Sequence, residues 1–277
     1  MTRPSLALAL AVAVSASALT SALAARPADA QSRRSDTFTW EGRVPNGRWI
    51  YLRNVNGEVR VERGTGDRVQ VTGTKRWRRG DPEDVRITAV KAGDGESMVV
   101  CALYNEDTSC DEDGYHGSGR RGSHWGSDNN DVSVEFVVRV PPGVRVDAST
   151  TNGDLSVTGA TSEIVAHTTN GDVRAESTGG PVRANTTNGN VTASMRDLGT
   201  SRDLDFSTTN GSVVVEVPAS LGAEVDLATT NGHVASDFPM TLSGRIDPRR
   251  LRATIGDGSR RLRLHSTNGN VELRKAP

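Results

Sequence analysis

From Val146 onward the apolar positions come in pairs separated by one residue, and the pairs recur every nine residues: Val146/Ala148, Leu155/Val157, Ile164/Ala166, Val173/Ala175, Val182/Ala184 and Val191/Ala193. Leu204/Phe206 with Val213/Val215, and Leu262/Leu264 with Val271/Leu273, keep the same step. Two apolar residues one apart point to one side of a pleated segment, so each unit predicts a short strand and a turn. A coarser repeat of Thr-Asn-Gly lies above this one, with its turns at Asn152-Gly153, Asn170-Gly171, Asn188-Gly189, Asn210-Gly211, Asn231-Gly232 and Asn268-Gly269; Asn56-Gly57 adds a seventh Asn-Gly. Successive asparagines from Asn152 lie 18, 18, 22, 21 and 37 residues apart, so a repeat holds two strands and the last interval has room for two repeats.

The first half follows the pattern less regularly. Ile50/Leu52 and Val59/Val61 flank Asn56-Gly57 at the nine-residue step, and Val69/Val71 continues after one inserted residue. Val85, Ile87 and Ala89, then Met98 to Leu103, then Val132 to Val140 are further strand candidates. The intervening residues 104–131 are rich in Gly, Ser, Asp and Asn, and predict a long polar loop outside the core. Pro141-Pro142-Gly143 punctuates before the regular repeats begin.

Two architectures accommodate the pattern. In a parallel β-solenoid, coils of about 18–22 residues stack at about 4.8 Å, giving inner ladders of Val and Ala and turn ladders of Asn. In an antiparallel β-meander, Asn-Gly is the strongest two-residue hairpin signal, because both turn residues take positive φ. The translated spacing, the recurrent inward Ala and the Thr-Thr run before many of the asparagines favour the solenoid, with the meander as the alternative. Either way the chain is all-β.

Charge narrows the partners. With 33 Lys+Arg against 34 Asp+Glu there is no net field to draw nucleic acid or an anionic membrane, and four Phe, four Trp and three Tyr give few platforms for bases. Arg3, the apolar stretch from Leu6 to Leu19 and the exit Ala28-Asp29-Ala30 predict a secretory signal peptide over residues 1–30, cleaved before Gln31. No later run is long enough to span a bilayer. Residues 31–277 are therefore expected as one exported β-solenoid domain, periplasmic, cell-surface or secreted, with a less regular part over 37–103, the loop over 104–131 and the regular coils over 132–273. An oxidising compartment pairs the two cysteines, Cys101 and Cys110. Closing that loop stabilises by about 2.5 kcal/mol in the chain-entropy account.

Trp40-Glu41-Gly42, Val55-Asn56-Gly57-Glu58-Val59, the run Val138 to Val144, the Thr-Asn-Gly coils and Ile255-Gly256-Asp257-Gly258 together resemble the DUF4097 family, exported bacterial proteins often labelled candidate adhesins. That family is similar in turn to right-handed parallel β-helix proteins. The resemblance covers roughly residues 37–273 and implies a right-handed β-helix; it brings no catalytic signature, cofactor or ligand set.

Catalysis on a β-helix needs two or three carboxylates, or a carboxylate and a base, converging on one exposed face. Stacking by eighteen places Ser156, Arg174 and Thr192 in one outward row and Arg145 or Val165 with Arg183 in another, with no carboxylate cluster. Asp154 and Asp172 suggest the turn ligands of calcium-binding β-rolls, but Asn190, Ser212, His233 and Asn270 take the later places, so the residue after each glycine reads as simply solvated. Asp107, Asp111, Glu112 and Asp113 form an acidic patch that reads the same way. Arg120, Arg121 and Trp125, with His124, and Lys75 to Arg79 around Trp77, are basic-aromatic clusters suited to anionic sugars or proteins. The expected function is a non-enzymatic adhesin-like scaffold that contacts an envelope protein or surface polysaccharide through Arg120, Arg121 and Trp125, without a cofactor or metal. A carbohydrate-active β-helix enzyme and a periplasmic structural or signalling accessory are the alternatives.

Overall fold

The computed structural model describes residues 34–117, 130–200, 203–242 and 247–276. These residues are all β apart from a 3-10 turn at Pro82–Asp84, and they form a ten-stranded sheet A, an eleven-stranded sheet B and a two-stranded hairpin. Each rung of the stack is one strand of sheet B followed by one of sheet A. In spatial order the first four rungs are Met98–Leu103 with Ser133–Val140, Trp49–Arg53 with Val59–Arg63, Arg145–Asn152 with Leu155–Ala160, and Ile164–Asn170 with Val173–Ser177. Then come Val182–Asn185 with Val191–Met195, Asp203–Asn210 with Val213–Val217, Arg260–Asn268 with Val271–Lys275, and Ala223–Asn231 with Val234–Ser236.

Neighbouring rungs pair in parallel, with translated register: Ala148↔Ala166↔Ala184↔Phe206 in sheet B, and Val157↔Ala175↔Ala193↔Val215↔Leu273 in sheet A. The meander of Asn-Gly hairpins is thereby excluded for these repeats. Both residues of every nine-residue pair face the space between the sheets and are buried, as the strand period requires. Alanine keeps that space narrow at the middle rungs; Phe206, Leu264 and Leu227 fill it toward the C-terminal end.

The rungs are out of chain order at both ends. Trp49–Arg63, first in the chain, lies second in the stack, and Arg260–Lys275, last in the chain, lies seventh. The chain closes each end with antiparallel strands before returning to the stack. Val69–Trp77 pairs antiparallel with Ser133–Val140, Arg34–Gly42 with Val69–Trp77, and Arg86–Lys91 with Met98–Leu103. At the far end Arg250–Ile255 and Thr241–Leu242 cap sheet B. Two expectations are corrected here: Val69/Val71 belongs to an end cap instead of a continuing coil, and the 37-residue interval holds cap strands instead of a second coil.

The turn residues Asn56, Gly57, Asn152, Gly153, Asn170, Gly171, Asn188, Gly189, Asn210, Gly211, Asn231, Gly232, Asn268 and Gly269 form one corner, where sheet B passes into sheet A. From Asn152 along the stack the asparagines form a ladder, each later one donating from Nδ2 to the Oδ1 of the one before: Asn170 to Asn152 at 2.9 Å, Asn188 to Asn170 at 2.7 Å, Asn210 to Asn188 at 2.7 Å, Asn268 to Asn210 at 2.8 Å and Asn231 to Asn268 at 2.8 Å. The first residue of each Thr-Thr-Asn-Gly donates its hydroxyl to a glycine carbonyl of the neighbouring rung, as Thr168 does to Gly153 at 3.0 Å and Thr186 to Gly171 at 2.9 Å. Glycine is needed because the backbones touch: a Cβ on Gly171 would lie 2.2 Å from the Gly153 carbonyl oxygen, at a φ of 151°. The residue after the glycine is not simply solvated. Asp154 accepts from the Asp172 N–H at 2.9 Å, Asp172 from Asn190 at 2.7 Å, Asn190 from Ser212 at 2.9 Å and Ser212 from Asn270 at 3.1 Å. Any side chain with an acceptor oxygen serves, which is why the aspartates do not persist.

Candidate functional site: the outer face of sheet B

At one end of this face Thr108–Asp111 and Gly114–Gly117 form a hairpin folded over Met98–Leu103. A Cys101–Cys110 disulfide joins them, with 6.4 Å between the Cα atoms. The Tyr115 hydroxyl donates to the Ala102 carbonyl at 2.9 Å, and Tyr104 donates to the Asn56 carbonyl at 2.9 Å. Burial pushes both phenols well above their ordinary range, so they stay neutral donors. The expected loop over 104–131 is therefore ordered and packed in its first half. This covers the outward Val99, Cys101 and Leu103, which would otherwise expose an apolar patch.

Beside the hairpin, Trp49 and Tyr51 stack at 5.9 Å, with Arg145 5.4 Å from the Trp49 ring and Arg53 5.3 Å from the Tyr51 ring. Arg53 is only 6% exposed; its Nη1 donates to Asp147 Oδ1 at 2.6 Å and its Nη2 to the Glu112 carbonyl at 2.5 Å. A buried guanidinium so paired fixes the hairpin to the sheet. The ring faces are engaged by cations and by each other, so this cluster is an anchor.

Beyond the anchor the face is open and polar. One row crosses the strands as Ser149↔His167↔Asn185↔Ser207↔His265↔Ala228↔Arg250. Beside it run Asp147↔Val165↔Arg183 and Asp205↔Arg263↔Asp226↔Arg252, alternating in charge from Arg183 on. The small Ser207 and Ala228 leave a groove of about 360 Å³ between Asp205, Arg263, His265 and Arg250. Arg250 holds Asp226 through two bonds, at 3.1 and 2.7 Å, and Arg252 lies 3.5 Å away. Burial raises the Asp226 carboxyl, and these guanidiniums outweigh it and hold it below the usual carboxylate range. Desolvation holds the His167 imidazole below its ordinary value against the pull of Asp147. Arg263 and His265 are exposed and have no side-chain partner among the described residues.

A family model described as Toastrack DUF4097 matches residues 50–274. The chain belongs to this family. Trp40-Glu41-Gly42 lies outside the matched span. No curated protein matches the chain in sequence. Among solved structures, a candidate cell adhesion protein from Clostridium sporogenes has 10% identity and a TM-score of 0.47, covering 88% of this chain and 100% of its own. A candidate adhesin from Bacteroides fragilis has 10% identity and a TM-score of 0.32, covering 87% and 97%.

Arg120, Arg121 and Trp125, and the signal-peptide residues, lie outside the described residues. The cluster at Lys75 to Arg79 is structural: Lys75 donates to the Pro82 carbonyl at 3.0 Å, Arg76 pairs with Glu135 at 2.7 Å, and the Asp131 carboxylate accepts the Arg78, Arg79 and Gly80 N–H groups. The acidic patch does not converge. Asp111 pairs with His116 at 2.7 Å, which holds its carboxyl low, and Glu112 accepts from the Gly93 N–H at 3.0 Å. Among the described residues no group of His, Cys, Asp or Glu side chains is placed to hold a metal, and no helix is long and apolar enough to cross a membrane. Sequence reasoning found Arg183 but missed Arg263 and His265, because the rung carrying them is displaced from its chain order.

Proposed function

We propose that the protein is an exported, non-enzymatic, adhesin-like scaffold that contacts an envelope protein or surface polysaccharide. Residues 1–30 are the signal peptide, residues 31–277 form one domain, and the winding is right-handed, the hand that parallel crossovers strongly prefer. The observation that carries the reading is the open polar face of sheet B, where Arg263, set between Asp205 and Asp226, and its neighbour His265 have no side-chain partner among the described residues. Such a face offers paired donors and acceptors to sugar hydroxyls or to a charged protein surface. Asp226, held ionised by two arginines, is a poor general acid, which weighs against the carbohydrate-active alternative. Arg120, Arg121 and Trp125 contribute a second contact, as exposed loops on rigid scaffolds often do.

The test is capture from native envelope extract on the immobilised mature protein, before and after protease or periodate treatment. Mass spectrometry should first find Gln31 at the amino terminus. Loss of capture after one treatment identifies the partner class; no saturable capture from any envelope fraction refutes the reading. Replacing Arg120, Arg121 and Trp125 together by alanine should lower capture while changing stability by no more than about 0.5 kcal/mol.

A further inference from the structure

Among the described residues, three of the four outer edges of sheets A and B are protected. Val234–Ser236 and Thr241–Leu242 are very short, and Arg86–Lys91 carries a cation at each end. Arg34–Gly42 is different. It pairs with Val69–Trp77 over nine consecutive residues without a bulge, contains no proline, carries its charges only at Arg34, Asp36 and Glu41, and has no strand on its other side among the described residues. An edge of that length presents a row of backbone donors and acceptors for strand addition.

A cavity of about 460 Å³ lies against this edge, between the closing strands of the two sheets. Asp36, Thr37 and Phe38 all line it, so it reaches the strand's backbone as well as its inward side chains. Its floor is apolar, from Phe38, Val85, Ile87 and Leu103. Its rim carries Asp36, Glu83, Asp84 and Glu106 against Lys75 and Arg86, and Lys75 is already engaged by Asp36 at 3.3 Å and by the Pro82 carbonyl. Glu83 and Glu106 make no side-chain bond among the described residues. An apolar floor under unpaired carboxylates suits a side chain with an aliphatic stem and a cationic head.

We infer that Arg34–Gly42 is a docking edge for an extended peptide of a protein partner, which adds as a strand and places a lysine or arginine in the cavity beside an inward aliphatic residue. This site lies at the first end of the stack and is independent of the sheet B face. The partner segment has alternating character, because only every second residue of an added strand faces the cavity.

The probe is a labelled nonapeptide, Thr-Lys-Thr-Val-Thr-Lys-Thr-Val-Thr, titrated into the mature protein by fluorescence anisotropy at low salt. Saturable binding is expected, weakened about tenfold by Glu83→Gln with Glu106→Gln, the loss expected for a desolvated charge contact. Two peptides N-methylated at alternate residues should differ: one loses binding because its methyls meet the edge, and the other keeps it. A glutamate-for-lysine peptide should not bind. Equal binding by the two methylated peptides, an unchanged affinity in the double variant, or no saturation by the parent peptide overturns the inference. So does a dimer built through this edge that the peptide cannot disperse, which would assign the edge to a second copy of the chain.

Discussion

At the scale of single residues, the corner makes glycine and asparagine irreplaceable for different reasons. Alanine at Gly171 would drive its Cβ to 2.2 Å from the Gly153 carbonyl oxygen, and that atom is backbone, so the rungs themselves must part. Gly171→Ala should cost about 2–3 kcal/mol, read as a lowered Tm in calorimetry. Asn188→Asp removes the amide that donates to Asn170 and should cost about 1–2 kcal/mol. The Asn-Gly signal was legible in the sequence, but its cause was not. Among the described residues none other than glycine takes positive φ, so the motif reports the contact of stacked backbones, not a tight hairpin. Acid sensitivity also has a residue-scale origin. The Asp94 carboxylate accepts from the Ser97 hydroxyl and from the Ser97 and Glu96 N–H groups, which hold its pKa at about 2. A depressed folded pKa stabilises above the unfolded value near 4 and is lost as pH falls toward 2. Asp94→Asn should flatten the stability profile over that window in pH-dependent urea melts and leave the region above pH 5 unchanged in slope.

Among the elements, the strands of the regular repeats were fully legible, because an inward apolar pair every nine residues has one geometric meaning. The hairpin at Thr108–Gly117 was not. Its strands have no alternating apolar pattern and are held by a disulfide, the Arg53 bridge to Glu112 and the Tyr115 hydroxyl, which are all long-range partners invisible to local periodicity. Reducing Cys101–Cys110, or Cys110→Ala, should remove up to about 2.5 kcal/mol. Limited proteolysis should then cut near Thr108–Gly117 while the repeats survive. By contrast Val173→Asp puts an unpaired charge between the sheets, where Val173 is 1% exposed, and should cost upward of about 4 kcal/mol, enough to prevent soluble expression.

For the whole molecule, periodicity identifies the rungs but not their order. The rungs of the regular repeats offer their neighbours equivalent inner pairs and corner bonds, so sequence alone cannot say that Arg260–Lys275 lies between Asp203–Val217 and Ala223–Ser236. Ser212→Cys with Asn270→Cys should cross-link readily, because Ser212 Oγ accepts the Asn270 N–H at 3.1 Å. A stack in chain order would instead cross-link position 212 to position 233. This displacement sets Arg263 between Asp205 and Asp226 and His265 between Ser207 and Ala228, and so builds the open groove that no stretch of sequence contains. The most direct test is quantitative capture of the envelope partner by Arg263→Ala/His265→Ala, compared with Arg174→Ala/Thr192→Ala on the outer face of sheet A. Both variants should keep their stability within about 0.5 kcal/mol. Capture should fall about tenfold, some 1.4 kcal/mol, for the sheet B variant and stay unchanged for the sheet A variant. Equal capture by both variants, or a loss confined to the sheet A variant, would contradict the account.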